Sequence, residues 1–393
     1  MLIAAARVIT ADSRSSGPNA ILAPGYLECS GGRITRVCAG LPASRPDVLL
    51  GSGFLLPGFV DLQVNGYGGV ELATADLAGM ASVAERLPHT GTTSFLPTFI
   101  TSPLEVLEDS LRRGGEILPS LAGVPGLARI LGIHTEGPFI SPNRRGAHNP
   151  DWIVAPTSDA VENILAAGAP HLRLVTIAPE LDGALAAIKH LSAAGVAVSV
   201  GHSDATAHQV STAAMCGATM VTHLFNAQRP MHHREPGVVG QALADSRLSS
   251  GLIADLHHVS GQVMAVAFAA APGRIFLVSD AAACAGMPPG TYLLGGEPIE
   301  LADGDGTPPV RADGTLAGSA LRMDSAVANL VATGVGLVDA ARAATRIPAD
   351  LIGRPDLGRI APGAAADLTW LSDDLRATAT WIGGQQVYGP PLG

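Results

Sequence analysis

Short apolar runs rich in β-branched residues alternate with alanine- and leucine-rich stretches from residue 58 onward. The apolar runs have the length of strands, whereas Leu181–Ala194 places apolar residues at helical spacing. This alternation indicates repeated βα units and a parallel sheet. The predicted strands are Gly58–Gln63, Thr92–Thr98, Ala128–Thr135, Leu172–Ala178, Val196–Gly201, Thr219–His223, Ser250–Leu256 and Arg274–Ser279. Eight units favour an α/β fold of the closed (β/α)8 TIM-like barrel type over an open doubly wound sheet.

Both ends of the chain show a different pattern. Residues 1–57 and 351–393 contain short strand candidates separated by turns. Within the first segment, Ser30–Val37 carries a Gly-Gly turn between alternating runs, which is typical of a hairpin. We therefore expect the two ends to build one small β-sandwich domain, with residues 58–350 forming the barrel.

Composition narrows the classes of partner. A net charge of −10 argues against nucleic acid or an anionic membrane as the main partner, because both require basic surfaces. No apolar run has membrane-spanning length, and the start MLIAAARVIT lacks the charge pattern of a signal peptide. The four cysteines form no CxxC pair. The cysteine pattern and the start of the chain predict a cytoplasmic protein with reduced thiols. The negative net charge is still compatible with a small anionic substrate held in a local basic pocket.

Ionisable residues collect at the predicted strand ends. Glu136, His202, His223 and Asp280 follow four different strands, whose carboxyl ends meet at one mouth of a barrel. One glutamate and two histidines suffice to hold a catalytic divalent metal with a position open for water. Asp280 would then be suited to general-base catalysis. A single residue of this kind is more often a loop hydrogen-bonding group, and a metal-free barrel that serves as a binding protein is the competing hypothesis.

The first barrel strand ends in an unusual polar pattern. In LPGFVDLQVNGYGG, Gln63 and Asn65 take the alternate positions at which one large class of metal hydrolases has two histidines. Lys189, the only lysine, lies inside a helix candidate. A carboxylated lysine that bridges two metals at a strand end is therefore excluded.

Two further segments could bind an anion or a ligand. Arg234 lies in the HHREPG segment, where it is either a clamp for phosphate or carboxylate or a solvated loop residue. His258 could reach the same anion. The small residues of GTLAGSALRMD precede a helix-like run, so backbone amides there could approach a ligand, although this signal is weak alone.

Eight segments between about residues 51 and 370 share their order and spacing with a known family. They are PGFVDLQVNGYGG, GIHTEGPFISPNRRGAH, GHSDA, THLFNA, REPG, LIADLHHV, VSDA and LAGSALRMD. Together they resemble the N-acetylglucosamine-6-phosphate deacetylases of the amidohydrolase superfamily. The resemblance implies that Glu136, His202 and His223 bind the metal, that Asp280 is the catalytic acid and base, and that His148 contacts the acetyl carbonyl. It implies these substrate contacts: Ala147, His148, Asn226, Ala227, Arg234, His258, Leu316, Ala317 and Gly318.

The resemblance also implies a reaction. Metal-activated water would attack the acetamide of N-acetyl-D-glucosamine 6-phosphate and release glucosamine 6-phosphate and acetate, in amino sugar catabolism or recycling. Gln63 matches family members that use one divalent metal, with zinc first and iron or another divalent ion as alternatives. Gln63 would mark the position of a second metal, or contact water or substrate. Members of the family are typically homodimers, so Arg234 could reach the neighbouring subunit's site. Another N-acetyl sugar phosphate or an N-acyl amino acid is the alternative substrate.

Overall fold

Strands from both ends of the chain form two sheets in the computed structural model, which describes residues 1–12, 20–302 and 307–392. The N-terminal strands are β1 (Leu2–Ala5), β2 (Val8–Ile9), β3 (Ile21–Leu22), β4 (Gly25–Ser30), β5 (Arg33–Ala39), β6 (Val48–Leu50) and β7 (Phe54–Pro57). One sheet has the strand order β5-β4-β1-β6. The Gly-Gly turn predicted within Ser30–Val37 joins β4 to β5, so that hairpin is confirmed.

A parallel sheet closes into a barrel in the middle of the chain. Its region contains β8 (Phe59–Val64), β9 (Gly66–Tyr67), β10 (Val70–Glu71), β11 (Thr92–Ile100), β12 (Arg129–Ile130), β13 (Ile133–Glu136), β14 (Leu172–Ile177), β15 (Ala197–Val200), β16 (Met220–Val221), β17 (Ser249–Leu252) and β18 (Ile275–Leu277). The barrel order is β8-β11-β13-β14-β15-β16-β17-β18, with β12 beside β11. A parallel bridge between Val64 and Ala281 joins the last strand segment to the first. The predicted TIM-like barrel is confirmed.

Three predicted strands differ most from the observed ones, and one of them, Ser250–Leu256, is observed as Ser249–Leu252. The segment Ala128–Thr135 is divided into β12 and β13, because the backbone turns at Gly132, whose φ is 141°. The strand predicted at Thr219–His223 shortens to Met220–Val221. His223 has a φ of 25°, in the left-handed region, so the chain leaves the sheet where this side chain projects.

Helices connect most of the barrel strands. They are α1 (Leu77–Arg86), α2 (Leu104–Leu121), α3 (Ser158–Gly168), α4 (Ala184–Ala193), α5 (Ala207–Met215), α6 (Gly237–Ala244), α7 (Gly261–Ala270), α8 (Met323–Ala332), α9 (Leu337–Ala344) and α10 (Arg346–Leu351). Helix α4 begins later than the predicted Leu181, because Gly183 has a φ of 87° and precedes the first turn. Within the described parts of the chain, no helix is both long and apolar enough to span a bilayer.

The remaining strands complete the β structure. They are β19 (Gly290–Leu294), β20 (Glu297–Leu301), β21 (Leu368–Leu371), β22 (Ala377–Ile382) and β23 (Gln385–Tyr388). The first two form a hairpin, whereas the last three join N-terminal strands in the order β23-β22-β21-β7-β2-β3. Ile3 and Leu27 of the first sheet pack with Leu368 and Trp381 of the second in one apolar core. The two ends therefore form a β-sandwich, and the domain limits 1–57 with 351–393 and 58–350 stay a prediction.

Candidate active site

A cavity of about 200 Å³ opens at the carboxyl ends of the barrel strands. Its lining residues are Asn65, Ile100, Glu136, Gly146, Ala147, His148, His202, His223, Asn226, Ala227, Ile253, His258, Asp280, Leu294, Thr315, Leu316 and Gly318. Eleven of them are residues that the sequence predicted as metal ligands, catalytic base or substrate contacts: Glu136, Ala147, His148, His202, His223, Asn226, Ala227, His258, Asp280, Leu316 and Gly318. Residues more than 180 positions apart in the sequence, such as Glu136 and Gly318, therefore line the same cavity.

Three predicted residues lie elsewhere. Ala317 is fully buried in an apolar cluster with Ala147 and Leu294. Gln63 is buried and contacts two carboxylates of the cavity wall. Arg234 is exposed in the loop before α6, where its guanidinium contacts His233, and it does not line this cavity. The fold of one chain therefore does not bring Arg234 to the predicted site.

A buried carboxylate and two imidazoles converge at the base of the cavity. Nε2 of His202 and Nε2 of His223 lie 3.2 Å and 2.9 Å from Oε1 of Glu136, and 3.1 Å from each other. Nδ1–H of His202 donates to the carbonyl oxygen of Arg144 at 2.9 Å, so Nε2 presents a lone pair. Acceptor atoms this close repel one another unless a proton or a metal ion lies among them.

The charge states in this cluster are strongly linked. Burial raises the pKa of Glu136, but the adjoining imidazoles of His202 and His223 outweigh burial and hold that pKa well below its ordinary value. Burial lowers the pKa of His223, yet the hydrogen bond and charge of Glu136 raise it to about 9. A proton on His223 thus neutralises the carboxylate in the metal-free protein. A divalent cation can take over that role with release of the proton.

The donor atoms fit a divalent metal. A carboxylate with two imidazole nitrogens is a common protein ligand set for zinc and related ions. Buried ligand atoms of Glu136, His148 and His202 also lie within 4.8 Å of one another. The two candidate sets share Glu136 and His202 and differ in the third ligand. His223 lies nearer the carboxylate of Glu136 than His148 does, with Nε2 of His223 2.9 Å from Oε1 and Nε2 of His148 3.9 Å from Oε2.

Two side-chain amides hold the carboxylates of this wall. Nε2 of Gln63 donates to Oε1 of Glu136 and to Oδ1 of Asp280, both at 3.0 Å. Nδ2 of Asn65 donates to the same oxygen of Asp280 at 2.7 Å. The amide of Gln63 therefore joins the carboxylates of Glu136 and Asp280. Its predicted contact with water or substrate stays a prediction.

The carboxyl group of Asp280 is prepared for proton transfer. Burial and the nearby charge of Glu136 raise its pKa to about 7, even though Asn65 and His223 act in the opposite direction. Oδ1 already accepts two amide hydrogen bonds, and no described residue donates to Oδ2. Oδ2 is therefore the carboxyl oxygen that these amides leave unbonded. A pKa near neutrality is the condition under which a carboxyl group both accepts and returns a proton.

Sequence reasoning missed several supporting residues. Thr101 contacts Nδ1 of His148 through its hydroxyl oxygen at 2.7 Å. A Cβ added at Gly146, whose φ is 54°, would lie 3.2 Å from Cε1 of His202, so glycine leaves room for the ring. Asp204 binds both Arg144 and Arg229. The GHSDA and GAH segments contained two of these residues, but their spacing carries no information on which groups meet.

Comparisons with known proteins identify the family of this chain. Residues 54–387 match the model of the Amidohydrolase family. The chain belongs to the amidohydrolase family. It is 40% identical over 352 residues to the N-acetylglucosamine-6-phosphate deacetylase of Homo sapiens, covering 86% of this chain and 84% of that one. It is 38% identical to the N-acetylgalactosamine-6-phosphate deacetylase of Escherichia coli O157:H7, covering 84% and 87%.

Solved structures of family members show the same architecture. A mutant N-acetyl-D-glucosamine-6-phosphate deacetylase from Mycobacterium smegmatis, in complex with N-acetyl-D-glucosamine-6-phosphate, matches with a TM-score of 0.91. The identity is 36%, with 98% of this chain and 99% of that chain covered. The enzyme from Thermotoga maritima matches with a TM-score of 0.88 at 28% identity, with 99% and 100% covered. The resemblance drawn from the eight segments is confirmed, and the chain is a member of a hydrolase family.

Proposed function

We propose that the protein hydrolyses the acetamide of N-acetyl-D-glucosamine 6-phosphate to glucosamine 6-phosphate and acetate, in amino sugar catabolism or recycling. The observation that carries this proposal is the convergence of Glu136, His202, His223 and Asp280 on one cavity wall. The relatives at 38–40% identity supply the substrate class. We place the reaction in the cytoplasm.

Glu136, His202 and His223 would hold one divalent ion, for which zinc is the first candidate. When bound, such an ion lowers the pKa of water and polarises a carbonyl oxygen. Oδ2 of Asp280 accepts the proton of the attacking water and returns it to the leaving amine nitrogen. The amides of Gln63 and Asn65 fix the carboxyl group of Asp280 while the proton moves.

We assign the contact with the acetyl oxygen to His148. Burial and the neighbouring His202 hold its pKa well below the ordinary value, so the imidazole is neutral at pH 7. The hydroxyl of Thr101 lies 3.2 Å from the main-chain carbonyl of Glu136 and 2.7 Å from Nδ1 of His148, and its one proton can serve only one of them. In the orientation in which it donates to Nδ1, Nε2 of His148 carries the proton and donates to the developing oxyanion. A neutral donor in a buried site stabilises that charge without competing for the proton of Asp280.

We assign five further lining residues of the cavity to the sugar phosphate. His258 would contact the phosphate, Asn226 and Ala227 the sugar or the phosphate, and Leu316 with Gly318 the sugar. Nδ1 of His258 lies 2.6 Å from Oδ2 of Asp255, which orients the ring. Arg234 is exposed on its own chain, so we propose that it completes the phosphate site of a neighbouring subunit in a homodimer.

Substitution of Arg234 by alanine tests this arrangement. We expect KM for N-acetyl-D-glucosamine 6-phosphate to rise roughly 10- to 100-fold, as for a lost charged hydrogen bond. The rate with unphosphorylated N-acetylglucosamine should not change. Arg36→Ala, which removes another exposed arginine, is the control. Equal losses on both substrates would remove Arg234 from the phosphate site, and sedimentation of the wild-type protein tests the dimer.

Substitution of Asn65 by alanine should change the pH dependence of the reaction. The hydrogen bond from Asn65 lowers the pKa of Asp280, so its loss raises that pKa. A base with a higher pKa is protonated at a higher pH, and the acid limb of kcat/KM should therefore move upward. Asn149→Ala, which removes an amide bonded to Glu297 instead, should leave the limb in place. An unchanged limb in the Asn65 variant would contradict the assignment of Asp280 as the base.

The decisive experiment is acetate release, measured on protein with its metal content determined in the same sample. N-acetyl-D-glucosamine 6-phosphate should be the preferred substrate, with about one metal equivalent per chain. Parallel assays measure acetate release from N-acetyl-D-galactosamine 6-phosphate and from an N-acetyl amino acid. Faster turnover of either alternative would replace the proposed substrate. Two metal equivalents would overturn the role given to Gln63, and absence of both metal and turnover would favour a binding protein.

A further inference from the structure

We infer that Asp204 is a positioning residue that holds the metal-ligand histidine His202 and the substrate loop around Ala227 in register with each other. This inference rests on the proposed function, because it concerns the same cavity. Asp204 itself does not line the cavity. Its role follows from the two arginines that share its carboxylate.

The first arginine connects Asp204 to His202. Nε of Arg144 donates to Oδ1 of Asp204 at 2.8 Å. The main-chain carbonyl of the same Arg144 accepts the Nδ1–H bond of His202 at 2.9 Å, and thereby selects the tautomer that presents Nε2 to Glu136. The backbone N–H of Ser141 donates to the carbonyl of His202, which closes the connection. Displacement of Arg144 would therefore release the ring.

The second arginine connects Asp204 to the substrate loop. NH2 of Arg229 donates to Oδ2 of Asp204 at 3.1 Å. Two main-chain bonds pair the same segments, from Ser203 N to the carbonyl of Ala227 at 3.1 Å and from Arg229 N to the carbonyl of Ser203 at 3.0 Å. Asp204 thus joins the loop after β13, which carries Arg144, to the loop after β16, which carries Ala227. Its own loop, after β15, lies between them.

The backbone at both ends of this connection needs external support. His202 has a φ of 47° and Ala227 a φ of 50°, in the left-handed region that residues with a Cβ rarely adopt. Such conformations persist where the surrounding contacts determine them. Glu180 adds to that support, since its carboxylate accepts from the hydroxyl of Ser203 at 2.7 Å and from the backbone N–H of Asp204. The charged network therefore stabilises geometry that the local sequence does not favour.

The side chains of this network are exposed to solvent to such an extent that loss of their ion pairs should leave the fold intact. The side chains of Arg144, Asp204 and Arg229 are 32%, 25% and 33% exposed. Ion pairs with this exposure contribute little to global stability. Arg354 and Asp356 provide a matched pair in another part of the chain, with bonds of 2.8 Å and 2.9 Å and exposures of 36% and 35%.

The test compares Asp204→Asn with Asp356→Asn. Zinc affinity is measured on metal-free protein by competition with a chromogenic chelator, and the thermal midpoint of the metal-free protein is measured beside it. We expect Asp204→Asn to weaken zinc binding about 10-fold or more, as for loss of a group that orients a ligand. Asp356→Asn should bind zinc like the wild type, with a similar thermal midpoint in both variants.

Two further variants separate the two arms of the network. Arg144→Gln keeps the main-chain carbonyl but loses the bond to Asp204, so we expect weaker zinc binding. Arg229→Gln should raise KM at saturating zinc, with a smaller effect on zinc affinity. Arg144→Gln also provides the zinc measurement if Asp204→Asn does not fold.

The outcomes distinguish the inference from the proposed function. Zinc affinity in Asp204→Asn or Arg144→Gln equal to that of the wild type would overturn the inference alone. An equal loss in Asp204→Asn and Asp356→Asn would also overturn it, because the effect would then be general. Failure of the wild-type protein to bind any divalent metal would overturn the proposed function, and the inference with it.

Discussion

Asp280→Asn is expected to lower kcat by a factor on the order of 10³, within the range that general acid–base groups contribute. The amide of asparagine has nearly the shape of the carboxylate but cannot accept the proton of the attacking water at neutral pH. Oδ2 is the atom affected, because Oδ1 is already bonded to Gln63 and Asn65. Metal binding should persist, since Asp280 is not among the three proposed ligands.

Steady-state acetate release and metal content per chain, determined on one preparation, measure this effect. Asp245→Asn is the matched control, because it makes the same substitution at a carboxylate that pairs with Arg247 at the end of α6. The control should turn over like the wild type. Near-wild-type rates in Asp280→Asn would contradict the assignment of Asp280 as the general base. Loss of metal in that variant would show instead that Asp280 is a ligand.

Glu136→Gln should have the second large effect, a loss of metal and of activity together. Glu136 is the one negative charge among the proposed ligands, and its Oε1 contacts Nε2 of both His202 and His223. Zinc affinity should fall by more than the roughly 10- to 100-fold that loss of an outer hydrogen-bond partner costs. The pKa of His223 should fall as well, because the carboxylate of Glu136 raises it.

Chelator competition measures the affinity, and titration of the histidine rings by NMR in metal-free protein measures the pKa. Glu162→Gln serves as the control, since Glu162 contacts His190 at the same 2.9 Å distance on the protein surface. A variant Glu136→Gln that retains one zinc per chain would exclude Glu136 as a ligand. The ligand set would then have to be rebuilt around the histidines.

Much of the fold was predictable because it depends on local patterns. Apolar runs of strand length alternate with helical stretches, and each barrel strand was predicted within a few residues of its observed position. The larger errors lie where the backbone turns away from the predicted strand, at Gly132, at His223 and after Leu252. Such turns respond to groups from neighbouring strands, which the local pattern does not contain.

The site was predictable in part for a related reason. Parallel strands place their carboxyl ends at one mouth, so the pattern of Glu136, His202, His223 and Asp280 indicated a shared cavity. The pattern could not place Arg234, which the fold of a single chain leaves exposed and outside this cavity. The contact that we propose between Arg234 and a neighbouring subunit has no signature in the spacing of one sequence.

The sequence by itself determined the barrel, the terminal β-sandwich, and the candidate ligands and base at the strand ends, because strand periodicity and strand order suffice to place them. Only the tertiary structure decided how these groups act on one another. The amide of Gln63 joins Glu136 and Asp280 across sequence separations of 73 and 217 residues. Asp204 binds two arginines from different loops. Hydrogen bonds require atoms within about 3 Å, and such distances are set by the packing of the whole barrel.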